Sequence, residues 1–463
     1  MNHRQTAIDI FLAGVESVNP ELLIKRNASL SDGHLKVGER MVDLNDVGNI
    51  FVVGAGKASV AMAKALEGLM GDRIAGGHIV TKYGHIAPLK YIQITEAGHP
   101  VPDKNGMEGT EKILSIVKGA NENDLVICLI SGGGSSLLVD VPEGCSLEDL
   151  QKLNVILLRS GANIEEINCL RKHLSKVKGG QLSKEAFPAS VISLILSDVM
   201  GDPLESIASG PTAPDPTTFH DAMAIMIKYG ITSEVPSRLY DLLLAGAENK
   251  RPETVKISDC ILNRTTNSII GNNTLALEAS KEMAISLGYR PFIVNYGLQG
   301  MVPDVAKLIL AKVRTFQKND RHGKICLLFG GEPTVEVAGN GIGGRNQHLA
   351  LILAIFLKSW PHVTILCGGT DGTDGPTDAA GAVVDACTEI NALKLGLHMQ
   401  KYVDNCDSHT FFKKEGGLVI TGPTHTNVMD LIIVLIDRTI QCNDANIVLK
   451  DANKVVGNFA VYR

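Results

Sequence analysis

Six stretches of the chain share one layout, a short apolar run followed by glycines and small polar residues: residues 51–57, 126–136, 191–202, 325–334, 363–375 and 418–426. An uninterrupted apolar run of this length predicts a strand buried on both faces. Helical periodicity lies between them. Ile164, Ile167, Leu170, Leu174 and Val177 recur at spacings of three and four and stop at Gly179-Gly180, which predicts an amphipathic helix. Ser146, with Asp149 three residues on, has the spacing of a capping box and predicts the start of another. Strands alternating with helices predict a doubly wound, mainly parallel α/β sheet of Rossmann-like type, in which ligands bind at the carboxyl ends of the strands. The glycine loops fall at those ends. The polar stretch 246–258, with Pro252, predicts the boundary between an N-terminal domain, residues 1–250, and a C-terminal α/β domain, residues 251–463.

Composition narrows the function classes. The net charge of −6 over 463 residues argues against a nucleic-acid partner, which needs a basic face. Nine cysteines, at 128, 145, 169, 260, 326, 367, 387, 406 and 442, form no CxxC pair and predict reduced thiols. No apolar run approaches the ~20 residues of a bilayer span, and the first residues lack an apolar signal core. A cytoplasmic protein with no membrane partner is expected.

The chemistry concentrates in the glycine loops. Gly54-Ala55-Gly56-Lys57-Ala58-Ser59 is expected to offer backbone N–H groups and a helix dipole to an anion, with Lys57 adding a point charge. The competing reading is tight strand–helix packing around an incidental lysine. The loop is not a Walker A motif. It is also a poor dinucleotide fingerprint, since Val60 or Ala61 stands where a third glycine belongs and no acidic residue follows about 20 positions on. Gly132, Gly133 and Gly134, with Ser135, form a candidate N–H nest for an oligophosphate. Asp198, at the end of Leu194-Ile195-Leu196, suits a proton acceptor or a Mg²⁺ ligand, or a turn cap. Arg345 opens an apolar helix, a poor place for a cation, which suggests an anionic partner held in a bidentate way. Gly343, Gly344 and Asn346 flank it. Asp371, Asp374 and Asp378 share one loop and invite a divalent cation, of which Mg²⁺ needs only one or two carboxylates. Asp407-Ser408-His409 is not read as a triad, because adjacent residues rarely converge. Arg171-Lys172-His173 reads as a solvated or substrate-facing helix face.

Nine segments in order carry a family likeness: GAGKAS, SGGGSSLL, RKHLSKVKGG, SLILSDVMGDPLESIASGPT, GGEPTV, GNGIGGRNQHLAL, GGTDGTDGPTDAAGA, DSHTFF and TGPTHTNVMD. Together they resemble the class II glycerate 2-kinases, which pair a glycerate-kinase domain with a C-terminal MOFRL domain. The resemblance implies transfer of phosphate from ATP to D-glycerate, giving 2-phosphoglycerate, with Mg²⁺ as cofactor and an active site in the interdomain cleft. It implies catalytic roles for Lys57 and Arg345; beside it, Asp198 is expected as base or, like Asp371, as metal ligand. It implies that the family's glycine-rich loops fall on residues 132–134 and 341–344, and cofactor contacts are expected from Gly132, Gly133, Gly134, Ser135, Gly343, Gly344 and Asn346. A monomer or homodimer is expected. Two other readings stand beside it: a nicotinamide-dependent hydroxypyruvate reductase, and a nucleotide or phosphosugar sensor without turnover.

Overall fold

The computed structural model describes residues 2–319 and 323–438, so Cys442 lies outside the described residues. The chain forms two compact units. Of the described residues, the first holds 18–272 and 425–428, and the second holds 2–17, 273–319, 323–424 and 429–438. The division thus falls at 272 rather than at the expected 250, for two physical reasons. The polar stretch after 250 is bonded into the first unit, where Val255 N donates to Gly179 O at 3.1 Å and Asp215 N to Val255 O at 2.8 Å. The N-terminal helix His3–Ser17 buries Ile10 and Phe11 completely. It joins the second unit through Ser280 Oγ, which donates to Ile10 O, and through Arg4, which forks onto Asp385 at 2.8 and 2.9 Å.

In the first unit a small antiparallel sheet, β1 (Ala28–Ser31), β2 (His34–Val37) and β3 (Arg40–Asp43), precedes the main one. The main sheet consists of β4 (Ile50–Ala55), β5 (Ile74–Lys82), β6 (Gln93–Ala97), β7 (Leu125–Ile130), β8 (Ser190–Leu196) and β9 (Thr265–Gly271). Its order is β6-β5-β4-β7-β8-β9 and every pairing is parallel. Both faces are covered, as the continuous apolar runs predict. Val53, Ala55, Val126 and Cys128 pack with Ile113 and Val117 of the helix Lys104–Lys118, while helix Ser59–Met70 packs against β5 and β7.

Because β5 lies on one side of β4 and β7 on the other, the chain reverses its winding between β4 and β7. Such a switch point opens a crevice at the carboxyl ends of the two strands. Beyond it stand four helices, Leu147–Ser160, Ile164–His173, Phe219–Lys228 and Ser237–Ala247, with an apolar core of their own that includes Leu157, Leu170, Phe219, Met226 and Leu243. The expected capping box at Ser146 and Asp149 is present. The helix from Ile164 ends at His173, six residues before the glycines at which periodicity would stop it. Asp140 draws the next turn away by accepting hydrogen bonds from Ser175 Oγ and Lys176 N.

The second unit is built on a mixed sheet rather than a parallel one. Its strands are β10 (Arg290–Leu298), β11 (Lys324–Gly331), β12 (Val363–Gly369), β13 (Gly381–Asp385), β14 (Leu418–Val419) and β15 (Asp430–Asp437). The order is β10-β11-β15-β12-β13-β14, with only β10 and β11 parallel. The fully buried β15 enters antiparallel between the two glycine-ended strands β11 and β12. Helices Val302–Asn319 and Arg345–Leu357 pack against this sheet, as do His3–Ser17 and Asn273–Ser286. Among the described residues no helix is long and apolar enough to cross a membrane.

The tightest approach in the first sheet is at Gly54, where a Cβ would lie 2.0 Å from Leu129 O on β7. Backbone cannot yield as a side chain can, so Gly54→Ala is expected to destabilise the protein by about 3 kcal/mol, the upper end for overpacking. A denaturation midpoint equal to that of the wild type would show that β4 and β7 are not so closely apposed.

Candidate active site

The loops after β4 and β7 are bonded to each other. Lys57 N donates to Gly132 O at 2.9 Å, Gly56 N to Val80 O at 3.1 Å and Ser59 N to Gly56 O at 3.3 Å, and Ala58 N donates to Ser131 Oγ at 3.0 Å. This corrects the expectation that the loop offers its N–H groups to an anion: the four N–H groups from Gly56 to Ser59 already have protein partners. Gly56 is needed for close packing, since a Cβ there would lie 2.1 Å from Ser131 Oγ and its φ is 141°. The Lys57 side chain runs beside Gly133, its Cγ 3.6 Å from where a Cβ on that glycine would be. His99 borders the same glycine. Burial, then the charges of Lys57 and Lys82, hold the His99 pKa down at about 4.

Gly132 faces Asp198. A Cβ at 132 would stand 2.1 Å from Asp198 Oδ2, and the same oxygen accepts from Asn427 Nδ2 at 3.3 Å. Asn427 went unread in the sequence, although it lies in the last glycine turn of the family likeness, TGPTHTNVMD. Gly133, with φ 85°, precedes the one-turn helix Gly134–Leu137. Ser135 Oγ pairs with Ser209 Oγ at 2.9 Å, and Ser209 Oγ donates to Asn168 Oδ1 at 3.2 Å. Ala208, Ser209 and Gly210 all have positive φ, at 51°, 61° and 61°. Two non-glycine residues in succession there mark stored strain, which clusters at functional sites. It is held by Gly179 N and Gly180 N, which donate to Ser209 O and Gly210 O.

Gly133, Ser135 and Asp198 line a cavity of about 330 Å³, whose other walls include Asn168, Arg171 and Lys178. Of the two readings of Arg171-Lys172-His173, a solvated or a substrate-facing face, the solvated one does not hold, while Arg171 lines the cavity. Lys172 and His173 are buried, with Lys172 Nζ 2.6 Å from Asp215 Oδ1 and His173 Nδ1 2.8 Å from Cys169 O.

In the second unit Arg345 does find an anionic partner, and it is the protein's own. Its Nε and Nη2 donate to Asp430 at 2.6 and 2.9 Å, and Nη1 lies 2.9 Å from Glu332. Burial opposes its charge, but the bonds and charge of Asp430 outweigh that and raise its pKa. Burial in turn pushes Asp430 up to about 6 in spite of Arg345. Asp374 is buried and caps the same helix, accepting from Asn346 N at 3.0 Å and Gln347 N at 2.8 Å. Gly344 is pressed against Asp374, and Gly343 against Ser408. Asn346 is 1% exposed and turned toward Asp374, so its place in the fold is structural. Asp371 closes a turn onto Thr373 N at 3.1 Å, and Asp378 lies 3.5 Å from His409. The three aspartates therefore have separate tasks, and no group of three metal-ligating side chains occurs among the described residues. Asp198 remains a single carboxylate at a strand end, a donor set that suits Mg²⁺ when phosphate oxygens complete the shell. Asp407 and His409 do not converge on Ser408: Asp407 accepts from Ile342 N and Thr410 Oγ1, and His409 meets Gln347.

Fold and loops define a two-domain α/β protein of the MOFRL class. Residues 6–244 match the family model described as a domain of unknown function (DUF4147), and residues 325–430 match the MOFRL family. The chain belongs to the family of glycerate 2-kinases that carry a MOFRL domain. A D-glycerate 2-kinase of Thermotoga maritima is 43% identical, over 94% of this chain and 98% of that one. A protein of Agrobacterium vitis, provisionally named a hydroxypyruvate reductase, is 39% identical over 94% of each. The crystal structure of glycerate kinase from Thermotoga maritima superimposes with a TM-score of 0.82 at 42% identity, covering 94% of this chain and 99% of that one.

Removing Arg345 leaves Asp430 buried without its partner. Arg345→Ala is expected to cost about 3 kcal/mol, the low end for a broken buried pair, because the arginine keeps a third of its surface exposed. The pH dependence has a definite sign. Asp430 has a folded pKa above its unfolded value of about 4, so its contribution to stability is present below that pH and is lost as pH rises through the folded value. Without Arg345 the folded value moves higher and the loss continues further. The difference in melting temperature between Arg345→Ala and wild type should be larger at pH 8 than at pH 5, and a constant difference would refute the pairing.

Proposed function

We propose that this chain transfers the γ-phosphoryl group of ATP to the 2-hydroxyl of D-glycerate. The glycerate oxygen bonds to the γ-phosphorus, the bond from that phosphorus to the β,γ-bridging oxygen breaks, the hydroxyl proton passes to a base, and 2-phosphoglycerate and ADP leave. Asp198 is the base we assign. The observation that carries the reading is the likeness to a named D-glycerate 2-kinase along 94% of the chain, supported by a strand-end carboxylate and a cation, Lys57, at the switch point of the first sheet. Phosphoryl transfer depends on positioning and on charge at the phosphoryl oxygens, and Lys57 supplies such charge. We assign Mg²⁺ as the cofactor, held by Asp198 or Asp371, where it would offset the charge of the ATP phosphates. A cytoplasmic location suits the eight described cysteines, all unpaired, and we propose a monomer or homodimer.

The relative named as a reductase favours the second reading, reduction of the related three-carbon keto acid by a nicotinamide cofactor. The loop after β4 speaks against it. Its glycines are used for chain-to-chain packing and its N–H groups are taken, which leaves no pyrophosphate cradle of the dinucleotide type. The test is incubation with D-glycerate, ATP and Mg²⁺, with product read by enolase, which accepts the 2-phosphate directly. Activity is expected there and not in excess EDTA, while consumption of NADH with hydroxypyruvate would establish the reductase instead.

Lys57→Met keeps the stem and removes the charge. If the ammonium acts on the transferring group, kcat and kcat/KM should fall together, by roughly 100-fold. A folded variant with both parameters unchanged would place Lys57 outside the chemistry.

A further inference from the structure

The cavity under the four-helix layer contains a cation that lacks the usual partner. Arg171 is half-buried on its wall, and its Nε donates to the neutral Asn154 Oδ1 at 3.0 Å. Among the described residues no carboxylate lies within ion-pair distance of it. Two other half-buried arginines, Arg4 and Arg345, differ from it, since each forks onto an aspartate. Burial raises the pKa of neither, but their carboxylates do, whereas for Arg171 burial acts alone and lowers it. An enclosed guanidinium without a counter-ion is costly unless an anion arrives to meet it.

Lys178 lines the same cavity and is buried, its Nζ donating to Leu138 O. Burial pulls its pKa down to about 8, with Asp140 opposing and Arg171 adding to the effect. The carboxylate of Asp140 is already engaged by Ser175 Oγ and Lys176 N. Both cations are rigidly carried. Helix Ile164–His173 is pinned by the buried Lys172–Asp215 pair, and the turn after Lys178 by Gly179 N and Gly180 N on the strained segment 208–210. Asp198 and Ser135 stand on the wall of this cavity too. In a 2-hydroxy acid the carboxylate and the hydroxyl sit on adjacent carbons. A small cavity that offers two cations and, on another wall, a proton acceptor matches that pairing.

We infer that Arg171 and Lys178 form the subsite for the carboxylate of the acceptor acid, which sets the enzyme's choice of a hydroxy acid over a neutral polyol. The inference rests on the proposed kinase reading and can fail separately from it. Arg171→Met should raise KM for D-glycerate by about 50-fold, as expected for loss of a bidentate charge-assisted contact, with kcat and KM for ATP within about threefold of wild type. Arg171→Lys should recover part of the loss, which a merely structural role would not predict. Discrimination of D-glycerate against glycerol should shrink by a similar factor. Lys178→Met gives a second, independent variant should Arg171→Met fold poorly. Calorimetric titration of D-glycerate without ATP reads the same subsite independently of turnover. Weaker glycerate binding by the variants supports the assignment even if the wild type proves not to be a kinase. Wild-type turnover with unchanged KM and unchanged glycerate binding in both variants would overturn it and leave the kinase reading intact. A rise in KM for ATP alone would also overturn it, assigning the two cations to phosphate.

Discussion

Backbone pressed against backbone is the constraint on which the first unit depends. Gly54 meets Leu129 O, Gly56 meets Ser131, and Gly132 meets the Asp198 carboxylate at distances no Cβ allows. The two loops at the switch point are therefore one body, fastened by Lys57 N to Gly132 O and by Ala58 N to Ser131 Oγ. A lysine, a serine and an aspartate from three strand ends receive fixed places because the chain beneath them cannot move apart. Pre-set geometry of this kind is what phosphoryl transfer asks of a protein that contributes little covalent chemistry.

The same glycines show how far a sequence can be read. Strands β4, β7 and β8 were legible because runs such as Val126 to Ile130 have no polar interruption, and so was the placement of glycine loops at their ends. What the glycines do was not. A loop that exposes N–H groups to a phosphate and one that spends them on neighbouring chain have the same composition, and the partners that separate them, Val80 O, Ser131 Oγ and Gly132 O, lie far off in the sequence. β15 was not legible though Leu431 to Ile436 is wholly apolar, because no glycine turn follows it. Its antiparallel entry made the second sheet mixed. The helix beginning at Ile164 was cut short by Asp140, a partner 35 residues away that no local periodicity encodes.

Charge was the least legible feature. Arg345 opens its helix and Arg171 lies within the last turn of its own, but neither position tells what the guanidinium meets. One is saturated by Asp430 and Glu332, and the other faces a cavity with an amide for company. Asp430, 85 positions away, makes the difference for Arg345, and among the described residues no carboxylate does so for Arg171. Burial makes the distinction consequential, since an enclosed charge must be answered by something.

The four-helix layer over that cavity has a core separate from the core beneath the sheet. Apolar clusters that share few side chains can lose order one at a time, as distinct cooperative units. Amide hydrogens in helices Leu147–Ser160 and Phe219–Lys228 would then exchange with solvent on a different free-energy scale from those of β4 and β7. A small molecule held between the layers would couple the two, so that occupancy of the cavity is written into the protection of amides it never touches.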